Sequence, residues 1–225
     1  MKKLINGIVD FRKNVRHTVK DTFALLALGQ RPDTLFIACS DSRVVPNLFA
    51  SSDPGDLFVI RNVGNLIPPY SERESASGHD SEAAAIEFAL ATLPIAEVIV
   101  CGHSECGAIG SLVHRHGQEG DAPAFRSWIR HGEGSLRQLD AGAQLGKHLQ
   151  RHNQLSQLNV LEQLEHLKTY PVVQERLQQG RLRLHGWWFD IKEADVYEYE
   201  QSEGCFHLID ESYAVKLLNR DSDRP

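Results

Sequence analysis

Thr34-Leu-Phe-Ile-Ala-Cys-Ser-Asp-Ser-Arg43 and Val98-Ile-Val-Cys-Gly-His-Ser-Glu-Cys106 are each an apolar run that ends abruptly in polar, reactive side chains. Short apolar runs rich in β-branched and aromatic residues suit strands buried on both faces of a parallel sheet. Leu57-Phe-Val-Ile-Arg61 is a third run of the same kind. Helical patterns lie between them. Asp80 and Ser81 are placed to cap an alanine-rich helix over 82–93 that stops at Pro94. A short helix follows Val44, with Pro46 in its first turn. Residues 104–167 read as mostly helical, with breaks expected near 117–123 and 132–134, and Pro171 opens another helix that Gly180 stops. Residues 182–191, 195–200 and 205–209 read as strands of a terminal meander. Alternating strands and helices require right-handed crossovers. The expected fold is therefore α/β, a mostly parallel central β-sheet flanked by helices. Leu4, Ile5, Ile8, Val9, Phe11, Val15 and Phe23, spaced helically among charges, add an N-terminal helical arm. The expected organisation is an arm at 1–30, one α/β domain at 31–215 and a polar tail at 216–225, with no internal repeat.

Strands of one parallel sheet bring their carboxyl ends to a common edge, which is where ligands bind in such folds. Both polar tips fall on that edge, so Cys39, His103 and Cys106 can converge there. Two thiolates and one imidazole are a known ligand set for catalytic zinc, with a fourth position left open. These residue types also recur by chance, and alone they do not separate a catalytic metal from a structural one or from none. Asp41 and Arg43 tilt the reading toward catalysis. An aspartate two residues beyond a ligand is placed to accept the remaining proton of zinc-bound hydroxide, and an arginine fork would hold it ionised. Cys101, inside an apolar run, reads as core; Cys205 has no partner spacing and is set aside. His114, His116, His131, His148, His152 and His166 read as surface histidines, and Glu105 as a helix start.

With 30 acidic against 24 basic residues the chain carries a net charge of −6, and no basic stripe interleaves with aromatics, which argues against a nucleic-acid partner. Met1-Lys-Lys-Leu-Ile is followed at once by charge rather than by a small apolar run, and no segment approaches membrane-spanning length. A cytoplasmic location, with reduced thiols and no membrane partner, is expected.

Cys39-Ser-Asp-Ser-Arg43, Asp56-Leu-Phe-Val-Ile-Arg-Asn-Val-Gly-Asn65 and Gly102-His-Ser-Glu-Cys-Gly-Ala108 resemble, in order and spacing, the signature segments of β-class carbonic anhydrases, in their plant-like branch. The resemblance implies zinc-hydroxide-catalysed, reversible hydration of CO2 to bicarbonate and a proton. It implies one zinc per chain on Cys39, His103 and Cys106, an Asp41–Arg43 dyad orienting the zinc-bound water, and a homodimer or tetramer with the active site at the dimer interface. Gln30, nine residues before Cys39, matches a substrate-binding glutamine that reaches a neighbouring subunit's site, and Phe58 matches an aromatic wall position. Phe36 stands where the allosteric branch carries tryptophan, which argues against an inhibitory bicarbonate pocket; Arg61 is common to both branches. The family's cleft tyrosine has no equivalent in Ser77-Gly-His-Asp-Ser81, where His79 is either a stand-in or proton relay or simply an exposed loop residue. Two further readings compete: a zinc-stabilised scaffold without activity, and a zinc hydrolase acting on an ester or small nitrogen compound.

Overall fold

The computed structural model describes residues 1–72, 80–114, 123–143 and 145–222. Its centre is a six-stranded sheet in the order β2-β1-β3-β4-β5-β6. Strands β1 (Thr34–Cys39), β2 (Leu57–Asn62), β3 (Glu97–His103) and β4 (Arg183–Asp190) run parallel, and β5 (Asp195–Glu200) and β6 (Cys205–Leu208) close one side antiparallel. Every residue of β1 is buried, which is why its sequence is apolar throughout rather than alternating.

The period of two divides that sheet between two cores. Leu35, Ile37, Ile60, Val98 and Val100 pack on one face against Ile86 and Leu90, Val160 and Leu167, and Val173. Those partners belong to α4 (Ser81–Thr92), α8 (Arg151–Leu167) and α9 (Pro171–Gln178). Phe36, Ala38, Ile99, Cys101 and Phe189 face the other way, with Val44 and with Phe49 of α3 (Pro46–Phe49). A third cluster joins Ile109 of α5 (Gly107–His114), Ile129 of α6 (Pro123–Ile129), Leu139 of α7 (Glu133–Asp140), and Leu155 and Leu158 of α8 over the ligand end of the sheet.

The amino-terminal arm, α1 (Lys2–Asp10) and α2 (Arg16–Leu26) joined by a single π turn over Phe11–Val15, buries no residue. Its apolar side is bare, with Leu4, Ile8 and Leu25 each about two-thirds exposed (67%, 68% and 71%). No described helix is long and apolar enough to cross a membrane.

The expected break near 132–134 is present: a short 3-10 turn over Arg130–Gly132 separates α6 from α7, and Gly132 takes non-helical angles (φ −104, ψ 1) just before α7 begins. Gly132 is also closely approached by Leu112, Asn159 and Leu66. The carboxyl end, expected as a polar tail, is helical where it is described: α10 spans Glu211–Ser222, with Asp210 Oδ1 accepting from the Tyr213 amide in the manner of a helix cap. The 117–123 break, apart from Pro123, which opens α6, lies outside the described residues, as do His116, His79 and the last three positions.

Candidate metal centre

Strand register builds the centre. Cys39 ends β1 and pairs with Asn62, while His103 ends β3 on the adjoining strand. Cys106 follows three residues later, just ahead of α5. The Cys39 and Cys106 sulfurs and a His103 ring nitrogen lie within 4.8 Å of one another. All three residues are almost wholly buried, at 4%, 4% and 0% exposure. A tetrahedral zinc with bonds of about 2.0–2.3 Å sets its donors roughly 3.5–4 Å apart, which this cluster accommodates.

The chemistry of the donors also fits. His103 Nδ1 is fixed by the Ser104 carbonyl at 2.8 Å, which leaves Nε2 to carry the lone pair. That Nε2 is buried and has no hydrogen-bond partner in the chain. An orphaned buried imidazole nitrogen costs stability unless something coordinates it. Cys39 Sγ accepts amide hydrogens from Gly64 at 3.3 Å and Asp41 at 3.4 Å. The Cys106 thiol, followed by burial's opposing effect and then by His103 and these amides, sets Cys39: the net result is well below the usual thiol range. Cys106 is pushed up in turn because its thiol donates to Cys39. Two thiols so placed suit a divalent cation, which would displace their protons on binding.

The loop after β2 serves this arrangement. Gly64 adopts φ +86, a conformation that favours glycine, and so turns its N–H toward sulfur. Asn62 clamps the loop by accepting from Leu66 N and donating to Leu66 O, both at 2.8 Å. Arg61 donates to the Cys39 carbonyl (2.9 and 3.1 Å) and to the Asp41 carbonyl (2.7 Å), which fixes the backbone of the first ligand segment. On the other strand, Ser156 Oγ of α8 donates to the His103 carbonyl at 2.7 Å. That approach requires Gly102, since a Cβ there would meet Val160 at 2.7 Å.

Asp41 and Arg43 form a fork beside the ligands. Arg43 Nε donates to Asp41 Oδ1 at 2.9 Å and Nη2 to Oδ2 at 2.7 Å, and the Arg43 amide adds a third bond at 3.0 Å. The Arg43 guanidinium, first by these hydrogen bonds, holds the Asp41 carboxyl far below the usual range. Arg43 Nη2 also donates to the Glu105 carbonyl at 3.0 Å, tying the dyad to the turn that carries Cys106.

That contact exposes residues that sequence reasoning missed. Glu105 does not start a helix: it sits at φ +55, and Asn153 of α8 holds it from both sides. Asn153 Oδ1 accepts from the Glu105 amide at 2.8 Å and Nδ2 donates to its Oε1 at 2.9 Å, while His152 Nε2 meets the same oxygen at 3.0 Å. His152 and His166 are half-buried and bonded rather than surface histidines. The roles of Asn62 and Gly64 had a legible signal, the Arg-Asn-Val-Gly-Asn stretch; Asn153 had none.

Gln30 and Phe58 do not join the cluster within one chain. Gln30 precedes β1 and lies in a groove with Arg31, Pro94 and Arg176, whereas the ligands sit past the other end of a strand roughly 17 Å long. Phe58 pairs with Leu35, four residues short of the ligand edge, with its ring 5.9 Å from that of Phe88.

Comparison with known proteins agrees with this geometry. A family model described as carbonic anhydrase matches residues 34–196. A Synechocystis carbonic anhydrase is 43% identical over 89% of this chain and 71% of its own. A Pseudomonas aeruginosa carbonic anhydrase is 38% identical over 97% of this chain and 96% of its own. Among solved structures, the β-carbonic anhydrase CcaA superposes with a TM-score of 0.84 at 40% identity, covering 92% of this chain and 98% of its own. A tetrameric β-carbonic anhydrase from Sordaria macrospora gives 0.72 at 27%, covering 92% and 98%. A mostly parallel sheet, a buried two-thiol, one-imidazole cluster at its edge and relatives named for one activity lead to a single conclusion: the chain belongs to the β class of the carbonic anhydrases, carbonate dehydratases that interconvert CO2 and bicarbonate.

Proposed function

We propose that Cys39, His103 and Cys106 hold one zinc ion, and that Asp41, locked by Arg43, orients the water whose oxygen attacks CO2. Zinc bound to such donors acts as a Lewis acid that makes water a nucleophile near neutral pH. The remaining work falls to side chains. Asp41 is an acceptor only while ionised, and Arg43 keeps it so. Its carboxylate would therefore accept a hydrogen bond from the attacking water and fix the direction of the oxygen lone pair. Three hydrogen bonds from one residue also restrain Asp41 from swinging toward the metal. Arg61 and Asn153 hold the two backbone segments that bear the dyad and the ligands, so little reorganisation accompanies the reaction.

The observation that carries this reading is the two-point Arg43–Asp41 fork two residues from a buried metal-ligand thiol. Asp41→Asn keeps the shape but loses the charge. Its hydration rate, by stopped flow, is expected to fall by about 10²-fold with zinc content unchanged. A variant of full activity removes the orienting role.

We further assign Gln30 and Phe58 to the site of a partner copy, since neither reaches the ligands of its own chain. The bare apolar side of α1 and α2 supports a homodimer, or a tetramer built from it, with the substrate cleft between subunits. Four free cysteines, two of them needed as thiolates, support a reducing, cytoplasmic compartment.

A further inference from the structure

We propose that Glu203, Cys205 and His207 form a second site for a thiophilic divalent cation of the zinc type, separate from the catalytic centre. The three side chains come together for backbone reasons. Strand periodicity puts Cys205 and His207 on one face of β6. The turn before it, closed by Glu203 N and Gly204 N on the Glu200 carbonyl and permitted by Gly204 at φ +66, sets Glu203 over the same face. One carboxylate oxygen, one sulfur and one ring nitrogen then lie within 4.8 Å of one another.

Hydrogen bonding alone does not satisfy this cluster. His207 Nε2 is 3.2 Å from Cys205 Sγ and 2.9 Å from Glu203 Oε2. A ring nitrogen has a single in-plane position, a proton or a lone pair, and so serves one of those neighbours well. A cation between the three serves all of them. Sulfur with imidazole selects zinc-like ions over magnesium or calcium. Thiolate and carboxylate together offset its two charges. The surroundings are ordered for it: the His207 ring stacks on Tyr213 of α10 (5.2 Å, 16°), and Lys216 Nζ holds the outer Glu203 oxygen at 2.9 Å. Glu200, opposite Cys205, is committed to Ser202 at 2.7 Å and takes no part. With Glu203 44% and His207 30% exposed, ions reach the site from solvent. It lies three strands from β3, roughly 14 Å across the sheet, so the two centres fill independently.

The test uses the enzyme as purified and dialysed, with its tightly held metal counted first. Titration with Zn2+ against a chromophoric chelator is expected to show one additional ion per chain. That ion disappears in Cys205→Ser and in His207→Gln, while the tight metal and CO2 hydration stay at wild-type values. In the unmodified protein, the added Zn2+ slows alkylation of Cys205 at least about tenfold, read by peptide mass, because a metal-bound thiolate is a poor nucleophile. No additional ion, an additional ion that persists in both variants, or a Cys205 alkylation rate indifferent to Zn2+ each overturns the proposal.

Discussion

Cys39, His103 and Cys106 meet at the dry edge of the sheet, whereas Glu203, Cys205 and His207 meet on a half-exposed hairpin at its far side. Both clusters offer sulfur and imidazole, so donor chemistry does not distinguish them. Their neighbours do. At the edge, backbone amides from Asp41 and Gly64 point at sulfur, and an arginine-held aspartate stands two residues away. On the hairpin, the carboxylate of the cluster itself is engaged by Lys216, and an aromatic ring covers the imidazole. The first setting suits an activated water; the second, with no aspartate–arginine pair beside it among the described residues, suits a cation held for structure. On the proposed reading, what would make one of these sites catalytic is what surrounds the ligands.

The largest effect expected from this contrast is in a pair of serine variants. Cys106→Ser removes a buried ligand, so tight metal and CO2 hydration should both fall to background. Cys205→Ser should leave the hydration rate at its wild-type value. Metal analysis beside stopped-flow hydration reads both, and a Cys205→Ser enzyme that loses activity would show that the two clusters are coupled.

A third histidine sharpens the comparison. His185 of β4 is held at Nδ1 by Glu198 (2.7 Å) and at Nε2 by Glu97 (2.8 Å). Burial lowers its pKa, yet hydrogen bonds to Glu198 and then Glu97 outweigh burial and raise it to about 9. Both nitrogens are committed as donors, so His185 is an ion-pair residue and not a ligand. Because its folded-state pKa lies above the unfolded value near 6.5, its stabilisation is complete below that pH. It is lost as pH climbs through about 9. Denaturant unfolding at pH 7 and pH 10 should lose at most on the order of 3 kcal/mol more for wild type than for His185→Gln. Equal losses would mean that the imidazolium contributes nothing.

The parts of the molecule that were legible in sequence are those whose side chains obey one rule at a time. β1 and β3 are apolar because both their faces are covered, and their polar tips mark where the sheet ends. Helix α8 was read only as part of a mostly helical stretch with surface histidines, and the structure shows what that reading leaves out. Asn153, Gln157, Asn159 and Gln163 are all buried. Gln163 Oε1 accepts from Ile67 N at 2.7 Å, and Asn159 Nδ2 donates to the Gly64 carbonyl at 3.2 Å. A loop that lacks regular pairing still needs partners for its buried backbone. Amide side chains on α8 supply them, interleaved with Leu155, Leu158, Val160 and Leu167, so its inward face mixes polar and apolar residues. Helix α10 was missed because only Tyr213 among its described side chains is fully buried, and its Asp210 cap was the available signal.

The smallest effect expected belongs to Asn153, and it tests whether that polar face reaches the chemistry. Glu105 holds a left-handed backbone that costs a non-glycine residue about 1–2 kcal/mol. Asn153 holds it there through two hydrogen bonds, and the Glu105 carbonyl in turn receives Arg43. Asn153→Ala frees the Glu105 amide and lets the turn relax, so Arg43 loses one of the contacts that aim Asp41. Metal should stay, because Cys106 keeps its place at the start of α5, while kcat for hydration falls by about threefold to tenfold. Asn153→Asp keeps the acceptor for the Glu105 amide but sets a carboxylate against the Glu105 carboxylate. It should restore the turn only at low pH, where one of the pair is protonated. If Asn153→Ala lowers stability and leaves kcat untouched, the clamp serves the fold alone and the aim of Asp41 rests on Arg43 and Arg61.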